Sequence, residues 1–359
     1  MATLEELRKQ IDQIDEQVIR LLNDRAQVVV QVGKLKRSEA GAPPIYAPDR
    51  ERHALDRIKN LNKGPLPDRC LVAVYRELMS GSFYLERPLR IAFLGPEGSF
   101  SHNAAMLKFG QSVEYEPLGD IKTVFEEIGR EHCDLGIIPV ENSIAGGIDE
   151  TLDALVESNA VICGEVLLAI HHNLMANCAL AEIGTIYSKP EVFAQCRQWL
   201  SQTLPKVECL PTSSSSQAAQ IAAKVKNTAA IGSTLAAELY NLKIICENIE
   251  DTANNITRFF IIGREAARPT GHDKTSIVFS TAHKAGALVD VLQAFRYNNV
   301  NLTNIESRPS KKREREYYFF VDCQGHMDEA QVTQAVSEAR RHCLQLSILG
   351  SYPQANEIL

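Results

Sequence analysis

The sequence predicts a multidomain chain made of an all-α three-helix unit, an α/β unit and an α+β unit of ferredoxin-like order. Three observations carry this. Apolar residues recur at steps of three and four through the first 37 residues. Strand and helix patterns then alternate from residue 89 to residue 267. Residues 273–359 read strand, helix, strand, strand, helix, strand, the order of a split β-α-β fold.

The first helix is expected over residues 3–37. Thr3 and Glu6 form a capping-box pattern at its start. Leu4, Leu7, Ile11, Ile14, Val18 and Leu21, then Val28, Val32 and Leu35, form a heptad seam that calls for a long helical partner. Gly41-Ala42-Pro43-Pro44 ends the helix. A second helix is expected from about Pro48 to Leu61, and Gly64-Pro65-Leu66-Pro67 breaks the chain before a third, from about Asp68 to Leu85. Arg25 interrupts the apolar seam, and a buried cation must meet an anion or carry a large desolvation cost. Arg8 and Lys36 flank the seam and, taken alone, read as snorkelling side chains. Arg25 and Lys36 stand about 16 Å apart along the helix, so both can reach one ligand. Arg8 and Lys36 are about 42 Å apart, so Arg8 can join them only from an antiparallel second chain.

In the middle unit, strands are expected at 90–94, 135–140, 207–210 and 229–231, with helices from Ser101, near 149–157, near 217–225 and from Ser233. This alternation implies a mostly parallel sheet covered by helices, with ligands bound at loops after strand ends: 95–101, 141–147, 212–216 and 257–258. Gly95–Ser101 is either a glycine turn with Ser101 as helix cap or a cradle of backbone amides for a carboxylate. Asn142, Ser143, Ser213 and Ser214 carry donors but also suit turns that open helices. Glu141 is open between orienting its neighbours and acting as a buried acid. His102, His171 and His172 show no metal spacing and read as structural, with His102 a supporting residue of the site. Residues 268–272 read as a linker. The basic run Lys311-Lys312-Arg313, beside Glu314 and Glu316, reads as a solvated hairpin tip.

The 359 residues are 45% hydrophobic and 23% charged, with a net charge of −7, which suits a globular chain of two or three domains and argues against a general nucleic-acid binder. Nine cysteines without a Cys-x-x-Cys pair point to reduced thiols in the cytoplasm, not a disulfide frame or zinc site. The N-terminus is charged from the start, so no secretory signal is expected, and no apolar run approaches a membrane span.

Asn254-Asn255-Ile256-Thr257-Arg258-Phe259-Phe260, Gly95-Pro96-Glu97-Gly98-Ser99-Phe100-Ser101 and Pro139-Val140-Glu141-Asn142-Ser143 together resemble the signatures of prephenate dehydratases. Three ordered signatures are far more specific than one. The resemblance implies a two-lobed α/β unit over 89–267 that expels carbon dioxide and hydroxide from prephenate. Thr257 is then expected against the leaving hydroxyl as a hydrogen-bond donor, since threonine is a poor general acid. Gly98, Ser99, Ser101, Asn142, Ser143, Ser213, Ser214, Arg258 and Phe259 are expected to bind substrate, Arg258 by a bidentate carboxylate pair.

Residues 4–87 resemble the helical class of chorismate mutase. Arg8, Arg25, Lys36, Arg50, Glu51 and Ser82 match family positions, which implies a cation cage that holds chorismate compact and stabilises charge on its ether oxygen. Two positions depart from the family. Ala47 replaces a carboxylate that contacts the substrate hydroxyl in several relatives. Glu86 replaces a common glutamine, and an ionised glutamate cannot donate a hydrogen bond. Residues 273–359 resemble an ACT regulatory domain through Gly286-Ala287-Leu288 and Glu306-Ser307-Arg308-Pro309. The resemblance implies that phenylalanine binds at Gly286, Ala287, Leu288, Asn304, Glu306, Ser307 and Arg308 across a subunit interface, in at least a dimer.

The resemblance implies neither a metal nor an organic cofactor. The expected partners are chorismate, prephenate and phenylalanine, with no nucleic acid or membrane. Three competitors remain at this point: a dehydratase preferring arogenate, a two-lobed solute-binding protein, and a helical unit that serves only as a dimerisation arm.

Overall fold

The computed structural model describes residues 2–38, 46–310 and 317–359. The end of the first helix at Gly41–Pro44 and the charged run at 311–316 lie outside these residues. The helical unit consists of α1 (Leu4–Ser38), α2 (Pro48–Leu61) and α3 (Asp68–Glu86). The expected capping box forms: Thr3 N donates to Glu6 Oε2 at 2.7 Å, and Glu6 N donates to Thr3 Oγ1 at 3.3 Å. Gly33 lets α1 lie close against α3, because a Cβ there would stand 3.2 Å from Glu86 Cα. Ahead of that contact, residues 2–21 are exposed without exception. The heptad seam therefore lies open, with Leu4 65%, Ile11 57% and Ile14 57% exposed.

The middle unit has two lobes. The first holds β1 (Arg90–Leu94), α4 (Phe100–Phe109), β2 (Glu114–Leu118), α5 (Ile121–Gly129), β3 (Leu135–Asn142), β4 (Gly146–Gly147), α6 (Asp149–Glu157) and β5 (Val161–Ala169). The second holds β6 (Asn173–Ala176), β7 (Thr185–Ser188), α7 (Pro190–Gln195), α8 (Arg197–Thr203), β8 (Glu208–Pro211), α9 (Ser215–Lys224), β9 (Thr228–Gly232), α10 (Thr234–Leu239) and β10 (Lys243–Cys246). The chain then returns to the first lobe as β11 (Ile256–Gly263).

The mostly parallel pairing expected for this unit is corrected to two mixed sheets, ordered β2-β1-β3-β11-β5, with β4 on β3, and β10-β6-β9-β7-β8. The physical reason is the double crossing between lobes. β11 comes back from the second lobe and runs antiparallel to both β3 and β5. The two crossing segments pair with each other, Ile170 N donating to Asn255 O at 2.8 Å.

The third unit consists of β12 (Asp273–Ser280), α11 (Ala287–Tyr297), β13 (Leu302–Pro309), β14 (Tyr317–Gln324), α12 (Ala330–Arg340) and β15 (Gln345–Pro353). Its sheet order, β13-β14-β12-β15, is the ferredoxin-like one. One sheet face packs on α11 and α12 through Phe279, Phe295, Val321 and Ala335. The other packs on the first lobe, where Val278, Phe320, Leu349 and Tyr352 join Phe260, Ile138 and Leu152 in one core. Gly350 permits this contact, because a Cβ there would fall 2.1 Å from the Ile162 carbonyl oxygen. After β15 the chain pairs with the edge of β5, Leu359 N donating to Leu167 O at 2.9 Å. Arg52 Nη1 on α2 donates to Gln354 O, so all three units meet there. Among the described residues no helix is long and apolar enough to cross a membrane.

Candidate active and effector sites

The cleft between the two lobes is built where chain segments cross. Thr257 is the second residue of β11 and is buried. Its Oγ1 accepts a hydrogen bond from Asn142 Nδ2 at 2.9 Å, from the end of β3. The orientation of the Asn142 amide is fixed from the other side. Its Oδ1 accepts from the backbone N–H groups of Ile144 and Ala145, both at 3.0 Å. With that amide fixed, Asn142 must donate, and the Thr257 O–H is what the threonine has left to offer a ligand.

Asn142 Nδ2 also donates to Asn255 Oδ1 at 2.8 Å, and Asn255 Nδ2 donates to Gln195 Oε1 at 3.1 Å. His172 Nε2 completes the chain, 2.7 Å from the same glutamine oxygen. That contact requires the proton on Nε2, which leaves Nδ1 as a buried acceptor with no protein partner. Burial holds the His172 imidazolium below its usual range. Ser143 clasps the same region, its Oγ donating to Asn254 O and accepting from Ile256 N.

The loop after β1 faces the N-termini of two helices. Ser99, not Ser101, caps α4: its Oγ accepts from His102 N and donates to Leu94 O. Ser101 lies buried inside the first turn. Gly98 adopts φ +80°, and a Cβ there would meet Ala236 and, at 3.3 Å, Ser216 Oγ. The Ser216 hydroxyl is buried without a protein partner in the first turn of α9. Ser214 and Ser213 are spent on the cap of that helix, Ser214 Oγ accepting from Gln217 N and Ser213 Oγ donating to Gln217 Oε1. The loop leading into α4 thus packs against the first turns of α9 and α10, Ser233 Oγ donating to Gly98 O at 2.8 Å, and helix N-termini favour anions. His102 supports the loop, its Nδ1 accepting from Gly98 N while the ring stacks on Phe93.

Two residues expected in the cleft stand elsewhere. Phe259 is 1% exposed and belongs to the core beneath α4. Arg258 follows Thr257, and successive residues of a strand point to opposite faces. Its guanidinium therefore lies on the far side of the sheet, with Glu165 and Asp322 at 2.8 and 2.6 Å. Asn255 and Gln195 were not expected in the site, His172 was expected to be structural, and Ser216 was expected only as part of the 212–216 loop. Asn255 sits inside the quoted signature and could have been named. Gln195 carries no local signal, because only the closing of two lobes brings it in.

In the helical unit, Arg25 Nη1 donates to Ser82 Oγ at 2.8 Å, and Lys36 pairs with Glu86 at 2.8 Å. The structure thus brings four of the expected residues together between α1 and α3. Arg25 is exposed, so the burial expected from its seam position is not met within one chain. Arg8 and Arg50 are exposed, Arg8 on the free half of α1. Glu51 turns to the neighbouring unit and pairs with Lys108 at 2.9 Å. Ala47 occupies the cap position of α2 without a side-chain cap bond.

In the C-terminal unit, Gly286 has φ +83° and opens α11 at Ala287 and Leu288. Alternation divides the β13 residues. Ser307 pairs with Phe319 and shares its face with the helices, whereas Asn304, Glu306 and Arg308 pair with Asp322, Phe320 and Tyr318 on the face toward the first lobe. Arg308 Nε and Nη2 each lie 2.6 Å from an Asp153 oxygen on α6, and Nη1 contacts Asp149. Glu306 lies against Gly147, and burial, with help from Glu141 and Asp149, raises its carboxyl above the usual range. Among the described residues no cluster of three or more His, Cys, Asp or Glu is placed to hold a metal ion.

A crossing-strand hydroxyl between two lobes, a cation-bearing helical unit and a ferredoxin-like unit define a multidomain protein with two separate candidate sites. Family models match accordingly: Chorismate mutase type II over residues 7–87, Prephenate dehydratase over 91–267 and ACT domain over 275–341. The bifunctional chorismate mutase/prephenate dehydratase of Aquifex aeolicus is 42% identical over 360 residues, covering 99% of each chain. That of Pseudomonas aeruginosa is 42% identical over 357 residues, covering 98% of each. A crystal structure of prephenate dehydratase from Arthrobacter aurescens in complex with L-Phe is 32% identical, with a TM-score of 0.70, covering 75% of this chain and 91% of that one. This chain belongs to the bifunctional chorismate mutase/prephenate dehydratase family.

Proposed function

We propose that the chain works as three units, 1–88, 89–267 and 273–359, in the cytoplasm and as at least a homodimer. It converts chorismate to prephenate and prephenate to phenylpyruvate, and phenylalanine inhibits it. The observation that carries the dehydratase assignment of residues is the fixed Asn142–Thr257 pair. Thr257 donates to the C4 hydroxyl as it leaves. The C1 carboxylate departs as carbon dioxide, and its bonding electrons enter the ring and displace the hydroxide. The ring becomes aromatic, which supplies the drive. Gly98, Ser216 and the N-termini of α4 and α9 hold the carboxylates before they react.

The mutase reaction is pericyclic and needs neither nucleophile nor proton transfer. Arg25 and Lys36 bind the chorismate carboxylates and its ether oxygen, and Arg8 enters from the second chain. The open apolar seam of α1 supports that pairing. Phenylalanine is held by Gly286, Ala287, Leu288 and Ser307, while Glu306 and Arg308 tie the same strand to the dehydratase unit.

The test is to follow chorismate loss and phenylpyruvate formation with one preparation, with and without phenylalanine, and to compare prephenate with arogenate. Turnover of both chorismate and prephenate, with prephenate preferred to arogenate and phenylpyruvate formation suppressed by phenylalanine, fits this reading. Preference for arogenate, or an inert helical unit, would overturn it.

A further inference from the structure

The residue after Thr257 joins the dehydratase unit to the regulatory unit. Arg258 is buried, and its three nitrogens each have a partner. Nε donates to Glu165 at 2.8 Å, Nη1 to Asp322 at 2.6 Å and Nη2 to Tyr352 Oη at 3.0 Å, with the Phe260 ring 4.8 Å from the guanidinium carbon. Asp322 and Tyr352 belong to β14 and β15 of the regulatory sheet. Ser276 on β12 closes the network. Its Oγ donates to the second Asp322 oxygen at 2.5 Å and stands 2.6 Å from Tyr352 Oη, which must therefore donate to it. Glu165 also receives Lys274 Nζ at 3.1 Å and Ala355 N at 2.9 Å.

Three strands of the regulatory sheet thus hold one side chain of the strand that carries Thr257. Burial disfavours the cation, but Asp322 and Glu165 outweigh it and keep the guanidinium charged. Burial likewise keeps the Tyr352 phenol protonated, as its donation to Ser276 requires. A planar fork with three fixed donors has little slack, so a shift of the regulatory sheet must either move Arg258 or break bonds. The ladder between β11 and β3 slips between Arg258 and Phe259. Such irregularities re-aim neighbouring side chains, and Thr257 is the neighbour here.

We propose that Arg258 is a positioning residue through which the regulatory unit sets the placement of Thr257, so that effector binding reaches the dehydration step along this network. The inference rests on the readings of Thr257 and of phenylalanine control given above. The test uses the full chain carrying Tyr352→Phe, which removes one acceptor of the guanidinium and one donor to Ser276 while keeping the ring. Ser276→Ala serves as a second, smaller change.

Phenylalanine affinity, measured by calorimetry, is expected to stay within about 3-fold in both variants, while the fold-inhibition of dehydration at saturating phenylalanine drops by roughly 10-fold. Linkage adds a readout independent of turnover. Saturating phenylpyruvate changes phenylalanine affinity in the parent by the coupling factor, expected within about 5- to 150-fold, and that factor collapses toward one in the variants. Parent-like inhibition and linkage in both variants would overturn the proposal, as would lowered thermal stability with linkage intact, the mark of a merely structural network. A parent that phenylalanine neither binds nor inhibits overturns the regulatory reading itself, and this inference with it.

Discussion

At the scale of single residues, the dehydratase cleft depends on which groups are already committed. Asn142 is held by two backbone donors, so it can only donate to Thr257 and Asn255. Asn142→Asp keeps the acceptor and loses both donations. Dehydratase kcat is expected to fall about 100-fold, the usual scale for losing an oriented donor in an active site, with mutase activity unchanged. Thr257→Ala should cost at least as much, and Thr257→Ser should recover part of it by restoring the hydroxyl. A serine variant no better than alanine would show that donation is the wrong role.

His172 gives a pH prediction. Burial lowers its folded-state value, so below about pH 6.5 the unfolded chain takes up the proton first. Stability contributed by the neutral ring is complete above that value and is lost as pH falls toward the depressed one. His172→Gln should reduce the drop in melting temperature between pH 7.5 and 5.5. An identical drop in both proteins would assign the acid sensitivity to other groups.

Among the elements, β13 shows how strand alternation divides a motif. Glu-Ser-Arg-Pro reads as one unit in sequence, yet Ser307 faces the helices while Glu306 and Arg308 face the dehydratase lobe. Glu306 stands near Glu141 and Asp149, and its carboxyl is raised by burial and by those charges. A carboxyl raised on folding destabilises the native state once pH exceeds the unfolded value, near 4.3. Glu306→Gln is therefore expected to raise the melting temperature at pH 8, with the gain shrinking toward pH 4. Calorimetric scans at the two pH values check this, and a lower melting temperature at pH 8 would mean that hydrogen bonding by the carboxylate outweighs repulsion. The same alternation separates Thr257 from Arg258, so neighbouring residues of one signature serve a cleft and a domain contact.

For the whole molecule, α1 is the feature that one chain cannot satisfy. Its first half makes no buried contact, and its seam lies open. Arg8 and Lys36, separated by about 42 Å of helix, can share a site only between chains. Mixing Arg8→Ala with Lys36→Ala chains should therefore restore mutase activity toward about a quarter of the parent, the share of intact sites expected when subunits exchange at random. Confirmed exchange without recovery would rule out a shared site.

The helices, the Thr3–Glu6 capping box, the heptad seam and the ferredoxin-like order were legible because they rest on local periodicity and capping chemistry, although the cap of α4 fell to Ser99 in place of Ser101. Thr257 and Asn142 each sit in a short signature and meet at 2.9 Å, whereas the contacts of Arg25 with Ser82 and of Lys36 with Glu86 came only with the packing of α1 on α3. The first lobe read as a parallel sheet because β1 and β3 are parallel, but no local pattern records that β11 returns from elsewhere and reverses direction. Gln195 was invisible for the same reason: it enters the cleft only when two lobes close. Arg258 was expected on substrate because sequence adjacency to Thr257 suggested a common site. The sequence by itself determined the units and the chemistry-bearing residue types. Tertiary structure decided which face each side chain serves, because strand pairing and domain contact depend on residues as far apart as Arg258 and Tyr352.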